Sequence, residues 1–172
     1  MDTSGSGTEH TRSRTVTYVD PAATAQVGRS MSGLEFLRGM ADGTVPPPPI
    51  AVLMSMDIVS VEPGHVVFGA VPDASHHNPI GMVHGGFAAT LLDTVCGCAV
   101  HSTLPAGTAY STIEIKVSYL RPVQAGARLV ATGTVTRSGS RVAFAEAQLT
   151  TEDGTLVATA SSSLLVIEPR TA

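Results

Sequence analysis

The sequence predicts an α+β protein in which an antiparallel sheet of about six strands wraps around one long central helix. The helix is indicated by residues 84–102, a largely apolar segment that follows a Gly-rich loop and precedes a Pro-Gly stop. Four strands after it are indicated by alternating or β-branched segments between short turns, at residues 109–121, 127–137, 141–151 and 155–167. The connections between these strands are too short for crossover helices, so the strands must be antiparallel.

The chain before the first strand is predicted to be less regular. Residues 1–28 are rich in Ser, Thr, Gly and Arg and show no sustained apolar period, so we expect a flexible tail followed by a single domain over residues 29–172. Ser30 or Ser32 is a candidate cap for a short helix that ends near Gly43.

Two further strands are expected between that short helix and the long one. Residues 46–49 are four consecutive prolines, which predict an extended, helix-free connector. Residues 50–61 and 65–72 are apolar and β-branched, and Glu62-Pro63-Gly64 between them is a hairpin signal. No internal repeat or second domain is visible in the sequence.

Composition excludes several classes of function. The chain has 172 residues, of which 43% are hydrophobic and 14% charged, and its formal net charge is −4. An acidic chain without a basic tract does not suit nucleic acid. No apolar segment reaches the roughly 20 residues that span a bilayer, and the N-terminus is polar, so we expect a cytoplasmic protein with no membrane partner. Cys96 and Cys98 are too closely spaced for a disulfide or a zinc knuckle and are interpreted as small buried residues.

The start of the long helix carries the candidate chemistry. Gly85 and Gly86 leave backbone N–H groups free where the helix dipole is positive, an arrangement that suits an oxyanion or a polarised carbonyl oxygen. Asp93 lies in the same helix among apolar residues, where a carboxylate is costly unless it is used. The structural alternative is a Gly-rich turn followed by a helix whose Asp faces solvent.

The spacing of these groups indicates more than one chain. Gly85 and Asp93 are eight residues apart, which is roughly 12 Å along a helix. A reacting carbon must lie within about 3 Å of both groups, so we expect a two-fold dimer in which Gly85 of one chain faces Asp93 of the other. A stripe of small residues would allow the close approach, although it could instead pack beneath its own sheet; it comprises Gly86, Ala89, Thr90, Asp93 and Gly97.

Two motifs resemble a known family. Asn78-Pro79-x-Gly81-x-x-His84-Gly85-Gly86, followed by Asp93, is similar to the signature of hotdog-fold acyl-CoA thioesterases of the phenylacetic-acid-degradation (PaaI-like) type. Thr112-x-Glu114-x-Lys116-x-x-Tyr119-Leu120-Arg121-Pro122 resembles the strand that follows in that family. The resemblance covers about residues 50–167 and implies the hotdog fold.

The resemblance also implies catalytic roles. Asp93 matches the general base or nucleophile, and Gly85 matches the backbone donor that polarises the thioester carbonyl. Asn78 matches an amide that orients the carbonyl or the water, His84 a residue near the thioester, and Thr112 a hydroxyl that positions the water or the Asp. The last three also have structural interpretations: a turn former for Asn78, a helix cap for His84 and an ordinary strand residue for Thr112.

Further residues are candidates for substrate contact. Gly86 is a second possible backbone donor at the helix start. His76 and His77 lack a third metal ligand at usable spacing and are interpreted as loop histidines, with His77 a candidate for the site entrance. Arg137 and Arg141 flank a predicted turn and are candidates for the phosphates of coenzyme A, with a solvated hairpin tip as the alternative.

Together these observations predict an acyl-CoA thioesterase that releases a free acid and coenzyme A without a metal or other cofactor. We expect a homodimer with sites at the interface, or a dimer of dimers. Medium-chain and aromatic acyl groups both fit the sequence. The alternatives are a hotdog hydratase-dehydratase, which pairs an acid with a His, and a non-catalytic acyl-CoA-binding protein.

Overall fold

The computed structural model describes residues 11–168. The helices are α1 (Pro21–Gly28), α2 (Gly33–Asp42), α3 (Pro49–Leu53) and α4 (Gly85–His101), with a 3-10 turn at Ala74–His76. The strands are β1 (Met56–Glu62), β2 (His65–Ala70), β3 (Ala109–Tyr119), β4 (Leu129–Arg137), β5 (Val142–Thr151) and β6 (Leu156–Ile167).

The six strands form one antiparallel sheet in the order β1-β2-β4-β5-β6-β3. α4 packs against the inner face of this sheet and contacts every strand. A curved antiparallel sheet around one long helix is the hotdog arrangement, so the predicted fold class is confirmed.

The helix and the sheet are matched in side-chain size. Leu91 and Leu92 of α4 are fully buried, and each contributes roughly 1.5–3 kcal/mol to folding. The strands opposite them present small residues, and at Gly133 of β4 a Cβ atom would lie 2.2 Å from the Val95 carbonyl oxygen. The helix can lie this close to the sheet only because position 133 has no side chain. The buried face of α4 comprises Phe87, Ala88, Leu91, Leu92, Val95, Cys96, Gly97, Ala99 and Val100.

α2 forms where the sequence predicts a short helix. Ser32 is its cap: the hydroxyl accepts a hydrogen bond from the Glu35 N–H at 3.3 Å, and the Glu35 carboxylate accepts one from the Ser32 N–H at 2.9 Å. Gly43 ends the helix with φ +82°, a left-handed conformation that glycine adopts without strain.

α1 corrects the prediction of an irregular tail over residues 1–28. Residues 21–28 are helical because the Asp20 carboxylate accepts a hydrogen bond from the Ala22 N–H at 2.9 Å and Pro21 occupies the first turn. Arg14 also contacts the domain, with an ion pair to Asp73 at 3.4 Å. The prediction for residues 1–10 lies outside the described residues.

α3 corrects the prediction of a proline connector leading straight into a strand. Pro49 is the first residue of this helix, where its missing N–H costs nothing, so residues 50–53 are helical rather than extended. Ser55 then adopts φ +51° and turns the chain into β1. β-branched residues in so short a helix are easily mistaken for a strand.

Candidate active site

The start of α4 presents one free backbone donor. His84 caps the helix: its ring Nδ1 accepts a hydrogen bond from the Gly86 N–H at 2.8 Å, and its carbonyl oxygen accepts one from the Phe87 N–H at 2.9 Å. The hydrogen bonds of residues 11–168 include none from the Gly85 N–H. The Gly85 N–H is therefore free to act as the oxyanion donor that the sequence predicts, whereas the Gly86 N–H, the second predicted donor, already donates to the His84 ring in this structure.

Tyr119 closes one side of this helix start. Its hydroxyl donates a hydrogen bond to the Gly85 carbonyl oxygen at 3.1 Å. A Cβ atom at Gly85 would lie 3.3 Å from the tyrosine ring, so a glycine allows the close contact. Tyr119 belongs to the second sequence motif but was not predicted as a site residue, because only the tertiary fold brings it to Gly85. The two residues line a cleft of about 390 Å³, whose other walls include His84, Ala88, Arg121 and Val157.

Asn78 stabilises the loop that leads to α4. Its Oδ1 accepts hydrogen bonds from the Ile80 N–H at 3.1 Å and the Met82 N–H at 3.0 Å. Gly81 in the same loop has φ +79°, which explains the glycine there. The Asn78 oxygen is thus fully occupied, and its Nδ2 group is the part of the side chain that remains to donate.

The two neighbouring histidines have different environments. The His76 ring packs edge-on against Phe87 at 4.7 Å, and its Nδ1 accepts a hydrogen bond from the Asp73 N–H at 3.0 Å. His76 therefore supports the helix start from beneath. His77 is exposed, and its backbone forms an isolated bridge with Val83 beside the helix start.

Asp93 is held by Thr112 across the gap between α4 and β3. The Thr112 hydroxyl donates a hydrogen bond to the Asp93 carboxylate at 2.9 Å, and both side chains are half-buried. Asp93 is the sole Asp, Glu, Lys or Arg of α4. The structure thus brings together the acid and the hydroxyl that the sequence analysis singled out separately.

A bulge in β3 makes this contact possible. Strict alternation predicts that Ile113 shares a face with Ile115 and Val117, with Thr112 on the other face. Instead the pairing with β6 shifts between Thr112 and Glu114, and Ile113 is 57% exposed. The extra residue turns Thr112 to the helix-facing side together with Ile115 and Val117, which corrects the predicted alternation.

Most members of the stripe of small residues on α4 keep some exposed surface within one chain. Gly97 is the exception: a Cβ atom there would lie 2.6 Å from the Tyr110 ring, so Tyr110 of the same chain lies across it. The other members of the stripe are half-buried within one chain; they are Gly86, Ala89, Thr90 and Asp93. Four of the five stripe residues thus keep some surface that is available to a second copy of the chain, whereas Gly97 packs beneath its own sheet.

The two cysteines are not reactive thiols. Burial, and then the negative charge of Asp93, raises the pKa of Cys96 to about 12. Burial likewise raises the pKa of Cys98 to about 12. Both stay protonated at neutral pH, and Cys96 is the small buried residue that the sequence predicts.

The hairpin arginines lie apart from the helix start of their own chain. Arg137, at the end of β4, and Arg141, before β5, are both exposed. Their hairpin lies level with the start of β3, whereas Tyr119 and the helix start lie at its other end. β3 has 11 residues and so is about 35 Å long. One protomer does not bring these arginines to the Gly85 donor.

The described chain contains neither a candidate metal centre nor a helix that could span a membrane. Residues 11–168 contain no cluster of three or more His, Cys, Asp or Glu side chains placed to hold a metal ion. In the same residues, no helix has both the length and the hydrophobicity that crossing a bilayer requires.

Comparison with known proteins identifies the family. The profile of the Thioesterase superfamily matches residues 80–158, which include α4 and Thr112. Acyl-coenzyme A thioesterase 13 of Homo sapiens is 32% identical over 108 residues, covering 62% of this chain and 76% of that protein. The chain belongs to the thioesterase superfamily.

Further relatives and solved structures are consistent with membership of the thioesterase superfamily. An esterase of Halobacterium salinarum is 48% identical over 80 residues, or 45% of this chain, and the chain spans about half the length of that protein at 52%. Among solved structures, a phenylacetic acid degradation-related protein of Ralstonia eutropha JMP134 has a TM-score of 0.69 and 33% identity, over 75% of this chain and 98% of that one. The smu.793 protein of Streptococcus mutans UA159, solved with acetyl CoA, has a TM-score of 0.62 and 28% identity, over 67% of this chain and 91% of that one. The PaaI protein of Escherichia coli shares the fold, with a TM-score of 0.70 over 83% of this chain and 100% of that one.

Removing the Thr112 hydroxyl should slow this thioesterase without preventing folding. Thr112→Val keeps the branched shape but loses the hydrogen bond to Asp93, so the carboxylate is no longer fixed. A hydrogen bond to a charged group is worth about 1.5–3 kcal/mol, so we expect kcat to fall by about ten- to a hundredfold with KM little changed. Thr112→Ser is the matched control and should retain most activity. Equal kcat values for the Val and Ser variants would show that Thr112 is only a strand residue.

Proposed function

We propose that this thioesterase hydrolyses acyl-CoA to a free acid and coenzyme A, with Asp93 as the reacting carboxylate. The observation that carries the proposal is the 2.9 Å hydrogen bond by which Thr112 holds the sole acidic side chain of α4. Relatives support the substrate class: one is named an acyl-coenzyme A thioesterase, and one related structure was solved with acetyl CoA.

We further propose that each site is built by two subunits. The Gly85 donor and Asp93 lie in one straight helix, eight residues and therefore roughly 12 Å apart. The Asp side chain recovers only a few ångströms of that rise. A two-fold dimer would place Asp93 of one chain opposite Gly85 of the partner subunit, across the small residues that their own sheets leave uncovered.

The chemistry that this site can perform needs no group beyond water. In one route Asp93 takes a proton from water while the water oxygen bonds to the thioester carbon. The carbonyl electron pair moves onto oxygen, where the N–H of Gly85 of the partner subunit stabilises it. The C–S bond then breaks, and the leaving thiolate takes the proton from Asp93. In the other route the Asp93 carboxylate attacks the thioester carbon, the C–S bond breaks and the thiolate leaves a mixed anhydride. Water then hydrolyses the anhydride, which releases the free acid, restores the carboxylate and supplies the proton to the thiolate.

The remaining polar groups near the helix start suit the substrate. His84 accepts through Nδ1, so Nε2 is the ring atom left to contact a substrate, and His84 lines the 390 Å³ cleft. Asn78 Nδ2 is a second donor on the loop before α4. We propose that these groups contact the thioester and the pantetheine arm, and that the absence of a metal requirement follows from the water route. Contact of Arg137 and Arg141 with the coenzyme A phosphates stays a prediction.

The hydratase alternative needs a His paired with the catalytic acid. In residues 11–168, Asp93 accepts its side-chain hydrogen bond from Thr112 and from no histidine. Within one chain this contact pattern is that of a hydrolase; the proposed dimer also brings the helix start of a second copy, with its histidine, to Asp93, so the enoyl-CoA assay below decides between the two reactions.

Thiol release from a panel of acyl-CoAs tests the proposal. We expect the wild-type protein to release free thiol from medium-chain or aromatic acyl-CoA, without added metal and undiminished by a chelator. Absence of thiol release across short, medium, long and aromatic acyl groups, from protein that still binds acyl-CoA, would favour the binding-protein alternative. Loss of the enoyl chromophore on adding enoyl-CoA would favour the hydratase.

A further inference from the structure

A second cavity, which we call the cap cavity, lies beneath the N-terminal helices. It has a volume of about 580 Å³, within the range of small-molecule sites. α1, α2, α3 and β1 form one side, and the C-terminal half of α4 with the start of β3 forms the other. Its walls are mostly apolar. All three N-terminal helices precede the segment that matches the superfamily profile.

The cap cavity begins next to the reacting carboxylate. Thr94, which follows Asp93, lies in its wall. So does Tyr110, which precedes Thr112 by two residues on the helix-facing side of β3, a distance of about 7 Å along the strand. The charge of Asp93 contributes to the raised pKa of Tyr110, as expected for neighbouring groups. Asp93 itself does not line the cavity, but its neighbours Thr94 and Tyr110 do, so the cavity begins on the adjoining face of α4.

The far wall carries a buried hydroxyl without a partner. Thr24 of α1 is only 6% exposed, and its Oγ1 has no hydrogen-bond partner in the described chain. Leaving such a group unpaired is unfavourable, so its presence in a cavity wall indicates a ligand with a matching polar atom. Thr24 lies on α1, whereas Thr94, the neighbour of Asp93, lies on α4, so we place that atom at the end of the ligand remote from the reacting carbon.

His101 gives the same cavity a second polar group. Burial lowers the pKa of His101, so the ring is neutral at pH 7 and offers one donor and one acceptor. Its contacts with Phe36 at 5.9 Å and Tyr110 at 5.5 Å, between ring centroids, hold it in the wall. An apolar cavity with a few polar groups selects ligands by shape and by the position of an oxygen or nitrogen atom.

We propose that the cap cavity binds the acyl group of the substrate and that Thr24 hydrogen-bonds an oxygen atom at the end of that group remote from the thioester. The ligand is thus an acyl chain of medium length that carries a distal hydroxyl or oxo group. The inference rests on the proposed hydrolysis of acyl-CoA and adds the selectivity of its acyl site.

Filling the rim of the cavity tests where the acyl group binds. Ala25 of α1 and Ala41 of α2 line the exposed rim of the cavity, whereas Ala23 of α1, which is also exposed, does not line it. We expect Ala25→Phe and Ala41→Phe to lower kcat/KM for octanoyl-CoA at least tenfold while leaving acetyl-CoA unaffected. Ala23→Phe is the matched control and should match wild type on both substrates. An unchanged ratio of octanoyl-CoA to acetyl-CoA turnover in both rim variants would overturn the assignment of the cavity.

Removing the buried hydroxyl tests the polar contact. Thr24→Val keeps the volume of the side chain and removes the oxygen. Wild type should prefer 8-hydroxyoctanoyl-CoA to octanoyl-CoA by at least fivefold in kcat/KM, and Thr24→Val should reverse or abolish that preference. If both proteins prefer 8-hydroxyoctanoyl-CoA equally, or wild type shows no preference, Thr24 does not hydrogen-bond the acyl group.

Binding measurements separate this inference from the proposed function. The thioethers S-octyl-CoA and S-(8-hydroxyoctyl)-CoA cannot be hydrolysed, so calorimetry can measure their binding alone. We expect wild type to bind S-(8-hydroxyoctyl)-CoA more tightly than S-octyl-CoA, Thr24→Val to lose that preference, and Ala25→Phe to bind both more weakly than wild type. If no acyl-CoA is hydrolysed but this order is found, the hydrolytic function is wrong and the cavity assignment holds. If hydrolysis is found without this order, the cavity assignment is wrong.

Discussion

Asp93→Asn is expected to abolish acyl-CoA hydrolysis while leaving the fold intact. The amide has nearly the same shape as the carboxylate and can still accept the Thr112 hydrogen bond, which is 2.9 Å long in the wild-type protein. It can neither take a proton from water nor attack the thioester, so both routes are blocked. General-base catalysis alone typically contributes 10²–10⁴-fold, and we expect kcat to fall by about 10³-fold or more.

The measurement compares thiol release by wild type and Asp93→Asn on the same acyl-CoA panel, with thermal unfolding and solution mass measured in parallel. An unchanged melting temperature and oligomeric mass would assign the loss to chemistry, since Asp93 is half-buried and its removal could also affect packing. Hydrolysis by Asp93→Asn at the wild-type rate would exclude Asp93 as the reacting group.

The fold could be predicted largely because its signals are local. The caps at Ser32 and Gly43, the apolar length of α4 and the turns between strands act over a few residues each. The sequence did not predict α1 and α3, because each helix is too short to show a clear apolar periodicity. α1 depends on one Asp-Pro start, and α3 is a single turn after a proline run.

The candidate site was predictable to a different extent. Gly85 and Asp93 could be singled out because glycine pairs at a helix start and a lone acid in an apolar helix are visible in one dimension. The sequence offered a helix cap as one interpretation of His84, but the use of the Gly86 N–H by its ring depends on one side-chain rotamer, which the sequence does not show. Strict alternation placed Thr112 on the wrong face of β3, since a bulge at Ile113 leaves no clear mark in the sequence.

The cap cavity could not be predicted from the sequence for another reason. Its walls come from segments far apart in the chain, Thr24 on α1 and Tyr110 on β3 among them. The sequence of α1 resembles an irregular tail, so it gives no sign that the Thr24 hydroxyl is buried. The proposed acyl selectivity therefore depends on tertiary contacts, whereas Gly85 and Asp93 lie close together in the sequence.

Two inactive variants are expected to restore each other when mixed, if the site is shared between subunits. Gly85→Pro removes the backbone N–H that would stabilise the oxyanion. Proline suits the first position of α4, and His84 before it is already extended at ψ 137°, so the helix should still form. Loss of one such donor typically costs about 10²–10³-fold in kcat. Gly85→Ala is the matched control, because it adds a Cβ near Tyr119 but keeps the N–H.

In a mixed dimer of Gly85→Pro and Asp93→Asn chains, one of the two sites receives an intact Gly85 from the Asn-bearing chain and an intact Asp93 from the Pro-bearing chain. The other site receives both lesions. Random co-refolding of equal amounts makes half of the dimers mixed, so about one quarter of wild-type activity should return. The separate variants and Asp93→Asn mixed with a Gly85→Pro/Asp93→Asn double variant should stay inactive. If equal mixing of the single variants restores nothing although mass measurement shows mixed dimers, Gly85 and Asp93 do not serve a common site. The roughly 12 Å between them on one helix would then have to be bridged in some way other than by a second copy of the chain.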